Sequence, residues 1–319
     1  MYDKITLKQI VGKFFLALQQ DEGAQVLGNI ANMFDSTVKT EQYGWLGAVP
    51  QFREWVGGRN KKAPAEYSMS ITNKKYEVTE GFTNDDLRRD KTGQIDIRIA
   101  ELAQRTNAHW LKLIMQLLVE GDTDTYGTAY DGQYFFDTDH SEGSSGTQDN
   151  DISIDISALP VTNHGTSTSP SAGELELVIL RCIQQMMGFV DDVGEPMNEM
   201  ARNFTVCVPV AYMAAAQAAT GSPLIDSTRT NTIMTMSRDG FNINLFVSPR
   251  IDWTTQLAVL RTDSAVKPFI RQEESGIEVK TLGPGSDHEF KEDEQLFGVQ
   301  SVRAAGYGRW QYACMATMT

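Results

Sequence analysis

Residues 94–119, which read QIDIRIAELAQRTNAHWLKLIMQLLV, decide how this chain is built, because they hold its strongest helical pattern. Apolar side chains recur every three or four residues from Ile95 to Leu117, so they share one face of an α-helix. Gly121 is a suitable stop, since glycine is common just after a helix ends. At ~1.5 Å per residue, the helix would form a spine of ~39 Å.

The N-terminal residues carry a second apolar pattern. Between residues 4 and 18, apolar side chains that include Phe14 and Phe15 recur near helical spacing. A lone helix could not keep such a stripe in water, so the segment needs a partner. We expect residues 1–41 to form an arm that has no partner within its own fold and becomes an interface on a neighbouring molecule.

Residues 42–82 show the alternation of a strand. The apolar side chains keep one parity through Ile71 and the other parity from Tyr76 onward. The change falls at residues 73–75, which predicts a bend or bulge in a long strand. Residues 57–62, GGRNKK, form a turn-rich basic tip. The segment therefore predicts a protruding β-hairpin with little core of its own.

The rest of the chain mixes helical and strand patterns, which predicts an α+β fold. The predicted elements after the spine are a strand at 152–159, a helix at 173–187, a strand at 204–208, an Ala-rich helix at 211–219, strands at 241–247 and around 257–259, and a strand-forming tail at 296–318. Polar surface loops are predicted at 141–150, 163–171 and 286–295, and the last of these is rich in acids.

Composition limits the function classes. The 319 residues suffice for two domains, or for one domain with long excursions. The net charge of −14, from 42 acids and 28 bases, argues against a surface that grips phosphate backbones. Cys182, Cys207 and Cys314 lack paired spacing and fit reduced structural thiols. The sequence shows neither a secretory signal nor a run of ~20 apolar residues, so we expect a protein folded in the cytoplasm.

Residues 130–140, YDGQYFFDTDH, are the strongest candidate for a chemical site. Asp131, Asp137, Asp139 and His140 are residue types that ligate hard or borderline metals, and they lie within ten positions of one another. A metal-dependent hydrolase built on them would need the four side chains to converge.

The same segment also has an interpretation without chemistry. Alternation along a strand would put Tyr134 and Phe136 on one face, with Phe135 and Asp137 on the other. The aromatic side chains would then plug a core, while the acids cap turns and face water. We favour this second interpretation.

No motif of a known catalytic class stands in the sequence. It lacks a nucleophile elbow, a zinc-protease helix motif and a phosphate-binding glycine loop. Among the other histidines, we expect His109 to pack on the spine, His164 to lie in a turn and His288 to lie at the surface of the acidic loop. We therefore expect no enzyme, no catalytic residue, no metal and no cofactor.

Three blocks of aromatic and glycine residues resemble one family, in that family's order. The blocks are YGWLGAVPQFREWVG at 43–57, the segment 130–140, and FGVQSVRAAGYGRWQ at 297–311. They resemble signatures of the major head subunits of bacteriophage Mu and Mu-like prophages.

The resemblance implies the α+β fold of tailed-phage major capsid proteins. Its parts would be an N-terminal arm at 1–41, an extended β-hairpin loop at 42–82, a peripheral domain at 83–171 and 266–319 with a spine helix at 86–121, and an axial domain at 172–265. The implied function is that of a major capsid (head) protein. Such a subunit self-assembles through pentamers and hexamers into an icosahedral shell around phage double-stranded DNA, in a virion assembled in the cytoplasm of the host bacterium.

A closed shell needs contacts between different surfaces of one chain, which arms and hairpins supply by burying area on neighbours. We expect aromatic anchors at Trp45, Phe52 and Trp55. Further candidate contact residues between subunits are Phe14, Phe15, Arg53, Arg59, Lys61 and Lys62. The basic tip is expected to meet the acidic residues 287–294 of another subunit.

The expected partners are further copies of the chain, a separate scaffold and protease, a portal, a decoration protein, and packaged DNA bound without sequence specificity. No membrane is expected. No long charged helical segment precedes the fold, so we expect the scaffold to be a separate protein, and we expect closure without covalent cross-links. Two alternatives stay open: a soluble binding or tail-structural module, and a metal-dependent hydrolase that uses the acidic segment 131–140.

Overall fold

The computed structural model describes residues 6–19, 24–44, 69–90, 93–225 and 229–319. Its helices are α1 (Leu7–Leu18), α2 (Ala24–Ile30), α3 (Asn84–Arg89), α4 (Gln94–Val119), α5 (Ala172–Met187), α6 (Met213–Gly221), α7 (Thr232–Arg238) and α8 (Asp287–Glu292). Its strands are β1 (Ala31–Asp35), β2 (Thr40–Tyr43), β3 (Met69–Thr72), β4 (Lys74–Thr83), β5 (Asp151–Ile154), β6 (Asn203–Val208), β7 (Leu224–Ile225), β8 (Arg229–Thr230), β9 (Asn242–Val247), β10 (Gln256–Arg261), β11 (Phe269–Leu282), β12 (Glu294–Tyr307) and β13 (Ala313–Met318).

The spine helix α4 runs along two hydrophobic cores. Ile95, Ile99 and Leu102, from its first half, pack in a core shared with α1 and β12. Ile114 and Leu118, from its second half, belong to the larger core of the molecule. The bounds predicted for the helical pattern, 94–119, are confirmed. The wider spine of 86–121 is wrong at its start, because α3 is a separate short helix that ends at Arg89.

The first sheet has the strand order β1-β11-β12-β4. β11 and β12 form a long antiparallel pair, β4 runs antiparallel to β12, and β1 runs parallel to β11. Alternate residues of β12 are buried, including Phe297 and Val299, as expected for a sheet with one face on a core.

Helix α1 covers this face together with α4. Phe14 is fully buried and meets the Phe297 ring at 5.4 Å between centroids. Lys13 Nζ lies 2.5 Å from the Asp96 carboxylate of α4. The expectation of an arm without a partner in its own fold is therefore wrong for α1. Packing against α4 and β12 buries its stripe within the chain, and sequence periodicity cannot show which surface covers a stripe.

The second sheet has the order β5-β13-β10-β6-β9, and α5 packs on β13 and β10. β13 pairs with β10 antiparallel and with β5 parallel. The predicted axial domain, 172–265, therefore contains only β6, β9 and β10 of this sheet, and its boundaries separate them from β5 and β13. The tail does not return as a whole to one domain, since β12 lies in the first sheet and β13 in the second.

The base of the predicted hairpin is present. β2 pairs antiparallel with β3, from Thr40 opposite Thr72 to Tyr43 opposite Met69. The strand then breaks at Asn73, and β4 continues in the first sheet, so the predicted bend is confirmed. Asn73 is buried and donates to Ser36 Oγ at 3.1 Å, which fixes the break. The body and tip of the hairpin lie outside the described residues.

Two local predictions need correction. The acidic loop holds a short helix, α8, whose N-cap Ser286 accepts from the Glu289 N–H. The strand predicted at 152–159 is shorter, because β5 ends at Ile154 and a 3-10 turn follows. Within the described ranges, no helix combines the length and the apolar character that crossing a bilayer requires.

Candidate functional site

Two of the four side chains predicted as metal ligands form a buried pair. Asp131 Oδ2 lies 2.6 Å from His140 Nδ1, and both side chains are buried. The His140 ring stacks on Trp310 with 3.9 Å between centroids and 6° between planes. The pair therefore fixes the orientation of a core imidazole that packs against an indole.

The other two carboxylates contact each other and the local backbone, and the hydrogen bond with Asp137 is the main cause that raises the pKa of Asp139. Asp137 accepts from the Tyr134 N–H at 3.2 Å and from the Thr138 N–H at 2.7 Å. Asp139 accepts from the Gln133 amide at 2.7 Å. Across the described part of the chain, no group of three or more histidine, cysteine, aspartate or glutamate side chains is arranged to hold a metal ion. The metal-hydrolase alternative thus lacks the convergence that it needs.

The aromatic residues of this segment do plug the core, but they do not alternate as a strand. Phe135 and Phe136 are both buried, whereas Tyr134 is exposed. Phe135 stacks on Tyr307 of β12 at 4.7 Å, and the Phe136 N–H donates to the Gly121 carbonyl at 2.8 Å. The predicted strand is wrong because the segment is a run of turns, which lets neighbouring rings enter the core together. The segment ties the end of α4 to the first sheet.

A buried polar network lies beside this segment and was not predicted. Tyr130 donates to Glu142. Gln311 Nε2 donates to Glu142 Oε1 at 2.9 Å and to the Tyr130 hydroxyl at 2.6 Å. Burial raises the pKa of Glu142 above its usual range, and it is also the main cause that raises the pKa of Tyr130. Glu142 stands in a polar stretch that looks like surface loop, so its burial left no signal in the sequence.

The remaining histidines take structural positions. His164 Nδ1 lies 3.0 Å from Glu174, beside the capping box of α5, and His288 Nε2 lies 3.2 Å from Glu294. His109 meets Tyr76 at 4.4 Å between ring centroids. Burial, followed by the charges of nearby Arg and Lys side chains, lowers the pKa of His109 to about 4.

His109 lies in a groove between α4 and the strands β4 and β12. The groove has a volume of about 560 Å³. Val78, Leu102 and Val299 supply apolar lining, and Arg303 lines it from β12. Arg303 is only 3% exposed, and its guanidinium lies 5.0 Å from the centroid of the Trp110 ring.

One aromatic side chain stands out at the surface. Phe290 of α8 is 92% exposed, although the helix that carries it is well anchored. Asn84 Nδ2 donates to Glu289 at 3.0 Å and to Asp293 at 2.7 Å, and Gln295 Nε2 donates to Asn84 at 2.7 Å. These bonds hold the acidic helix on the end of the first sheet.

The sequence model of the Mu-like prophage major head subunit gpT family matches residues 7–159 and 246–319 of this chain. The chain belongs to this family. As a member of the gpT family it shares 27% identity over 285 residues with the major capsid protein of Escherichia phage Mu, covering 89% of this chain. It spans 64% of the length of that Mu protein. A Mu-like prophage FluMu major head subunit of Haemophilus influenzae is 35% identical over 127 residues, which are 39% of this chain and 40% of that relative.

Solved structures show that this gpT-family chain has the tailed-phage major capsid fold predicted from its sequence. A chain of the procapsid of bacteriophage JBD30 superposes with a TM-score of 0.55 at 22% identity, covering 98% of this chain and 73% of that chain. A virus-like particle from Pyrococcus furiosus gives 0.52 at 10% identity, covering 97% and 98%. At these identities the likeness is one of fold.

The predicted contact residues of this gpT-family member fall into two groups. Phe14 lies in the core between α1 and β12, so its side chain is not accessible to another subunit, while Phe15 is 40% exposed. The others lie outside the described residues: Trp45, Phe52, Arg53, Trp55, Arg59, Lys61 and Lys62.

Proposed function

We propose that the chain is a major capsid subunit that self-assembles through pentamers and hexamers into an icosahedral shell around phage double-stranded DNA. The observation that carries the proposal is membership in the Mu-like major head subunit family, with matches on both sides of residues 160–245. The fold that the chain shares with phage capsids supports it independently of sequence identity.

The architecture suits a subunit that must close a shell. Heterologous contacts, in which different surfaces of one chain meet, generate rings when the rotation closes. The pair β2–β3 is the base of the predicted hairpin loop, and such a loop can bury area on a neighbour. We place the aromatic anchors at Trp45, Phe52 and Trp55, with Phe15 as a further contact, and we withdraw Phe14.

The partners follow from the same proposal. They are a scaffold and protease, a portal, a decoration protein, and DNA held without sequence specificity, with assembly in the cytoplasm of the host bacterium. The peripheral and axial domains of such a subunit would correspond to the first and second sheets. β5 and β13 would then join β6, β9 and β10, rather than follow the boundary drawn from the sequence.

The acidic segment 131–140 is given a structural role in this proposal. The rings of Phe135 and Phe136 join the end of α4 to the first sheet, and the buried Asp131–His140 pair packs on Trp310. A reaction site would need an accessible group, whereas His140 is fully buried. We propose that the chain is not an enzyme.

The test is sedimentation of the purified chain, followed by negative-stain electron microscopy of the heaviest fraction. Rings, tubes or closed shells are expected. They should separate into single chains in hot detergent, because we propose closure without covalent bonds. A monomer that stays monomeric at high concentration, alone and when co-expressed with the other head proteins of its phage, would overturn the proposal.

A further inference from the structure

We propose that α8 of one copy docks in the groove between α4 and the strands β4 and β12 of another copy, with Phe290 as the anchor. The proposal rests on the proposed function, because it names one contact of the assembly. In this contact the acidic residues 287–294 meet the groove that holds His109 and Arg303. The sequence predicted a different partner for these acids, the basic hairpin tip at 57–62.

The first observation is an exposed ring on an anchored helix. Phe290 is 92% exposed, and burying a phenylalanine side chain against a neighbour removes a large apolar surface from water. The helix beneath it is fixed by Asn84 and by the Ser286 cap. Because the ring is held in place before any contact forms, little conformational entropy is lost on docking.

The second observation is a buried cation without an ion pair. Arg303 donates from Nε to Ser301 Oγ at 2.8 Å and stacks on Trp110, but no carboxylate of the described residues lies within salt-bridge distance of it. Arg271 approaches the same Trp110 ring, at 5.8 Å from its centroid, and likewise makes no ion pair within the described ranges. Glu273 lies opposite Arg303 on β11 and its charge acts on both arginines, but beyond ion-pair distance, so an incoming carboxylate would meet cations that are only partly compensated.

The groove combines an apolar floor with a cationic end. Val78, Leu102 and Val299 are the apolar lining, and Lys112 stands near Arg303 and His109. Arg303, Lys112 and Arg250 lie close enough to His109 for their charges to lower its pKa, although burial is the larger cause. Glu77, Glu80 and Glu101 also line the groove, and Glu80 forms an ion pair with Arg98. The positive charge of the groove is therefore concentrated at the end that holds Arg303 and Lys112.

The helix α8 has the complementary chemistry. Phe290 is flanked by the exposed acids Asp287 and Glu292. A ring with acids on both sides matches an apolar floor beside unpaired cations, and the match is between two surfaces of the same chain. An acidic protein with net charge −14 offers many carboxylates, and α8 joins them to the most exposed large apolar side chain of the described ranges.

A second copy must supply the helix. The strand β12 begins at Glu294, directly after α8, and reaches the groove at Arg303, nine residues later. At ~3.3 Å per residue, that distance is ~30 Å along a paired strand, so the helix cannot fold back into its own groove. The contact is therefore heterologous, and repeating it builds a ring or a chain of subunits.

The first experiment measures the lowest concentration at which the full chain assembles, by sedimentation. Phe290→Ala is expected to raise it about tenfold, since central anchors contribute more than ~1.4 kcal/mol and that energy is tenfold in affinity. The matched control is Met200→Ala, which also removes a strongly exposed apolar side chain. Equal behaviour of the two variants would overturn the docking contact.

Charge reversal tests the pairing itself. Lys112→Glu and Glu292→Lys should each raise the assembly concentration, and the chain that carries both should return to within about twofold of the parent. Glu199→Lys, an exposed residue with the same charge change, is the control. If the double variant is as impaired as the sum of the single variants, the groove and α8 do not meet.

Cross-linking separates this inference from the proposed function. Cys182, Cys207 and Cys314 are buried, so Lys291→Cys and Arg105→Cys in one chain, which leave Phe290 in place, would be the reactive thiols. A short bis-maleimide added to assembled protein should give a ladder of covalent multimers, and each single-cysteine chain should give none beyond a dimer. Shells without a ladder overturn the docking contact and leave the function standing. A parent chain that never assembles overturns both.

Discussion

Asp151, at the start of β5, shows how a single residue limits stability at neutral pH. Burial, followed by the charges of Asp122, Asp149 and Asp137, raises its pKa from 3.8 to about 6. The folded protein thus binds this proton more tightly than the unfolded chain does. The contribution of this proton to the free energy of unfolding is complete below pH 3.8 and is lost as the pH rises through about 6.

We therefore predict that Asp151→Asn raises the free energy of unfolding at pH 8 by about 1 kcal/mol, after discounting the full shift for solvent screening. The gain should vanish at pH 4, where the parent side chain is protonated. Urea denaturation of the unassembled chain at both pH values measures it. Asp155→Asn is the control with the opposite sign, because hydrogen bonds from Ser157 lower the pKa of Asp155. A gain for Asp151→Asn that is the same at both pH values would contradict the electrostatic cause.

At the scale of elements, α4 and α1 show what a sequence can and cannot predict. The bounds of α4 follow from 26 residues of helical periodicity, which is a local signal. The partner of α1 is a long-range contact, so its apolar stripe predicts burial but not the surface that buries it. The strand alternation predicted for residues 130–140 is wrong for a related reason. In a turn, the neighbouring side chains of Phe135 and Phe136 can both pack in one core, whereas in a strand they would point to opposite faces.

The packing of α1 within its own chain leads to a contrast between neighbouring phenylalanines. Phe14→Ala should lower the free energy of unfolding of the unassembled chain by ~3–5 kcal/mol, because it opens a cavity against Phe297. Phe15→Ala, at 40% exposure, should change it by less than ~1 kcal/mol and act on assembly instead. Urea denaturation and sedimentation of both variants measure the two effects. Equal stability of the two unassembled variants would return α1 to the role of an arm on a neighbour.

For the whole molecule, the topology corrects the domain boundary that the sequence predicted. The strands β5 and β13 lie far apart in sequence and close the second sheet against β10, a pairing that local patterns cannot show. The family match omits residues 160–245, which contain α5, β6, α6 and α7. This unmatched stretch nevertheless folds onto the matched β10 and β13, so the second sheet joins both parts of the chain.

The charge of the whole molecule decides how it treats the DNA that we propose it encloses. A protein that neutralises several phosphates gains affinity by counterion release, and a shell with that property would hinder the movement of DNA through it. With a net charge of −14, the chain should bind short duplex DNA more weakly than about 10⁻⁴ M at physiological salt. Fluorescence anisotropy measures this affinity. The matched variant reverses the exposed acids Glu274, Asp287 and Glu292 to lysine, which changes the net charge from −14 to −8, and it should bind more tightly. Micromolar binding by the parent chain, with a steep loss on adding salt, would mean that a local basic surface overrides the net charge.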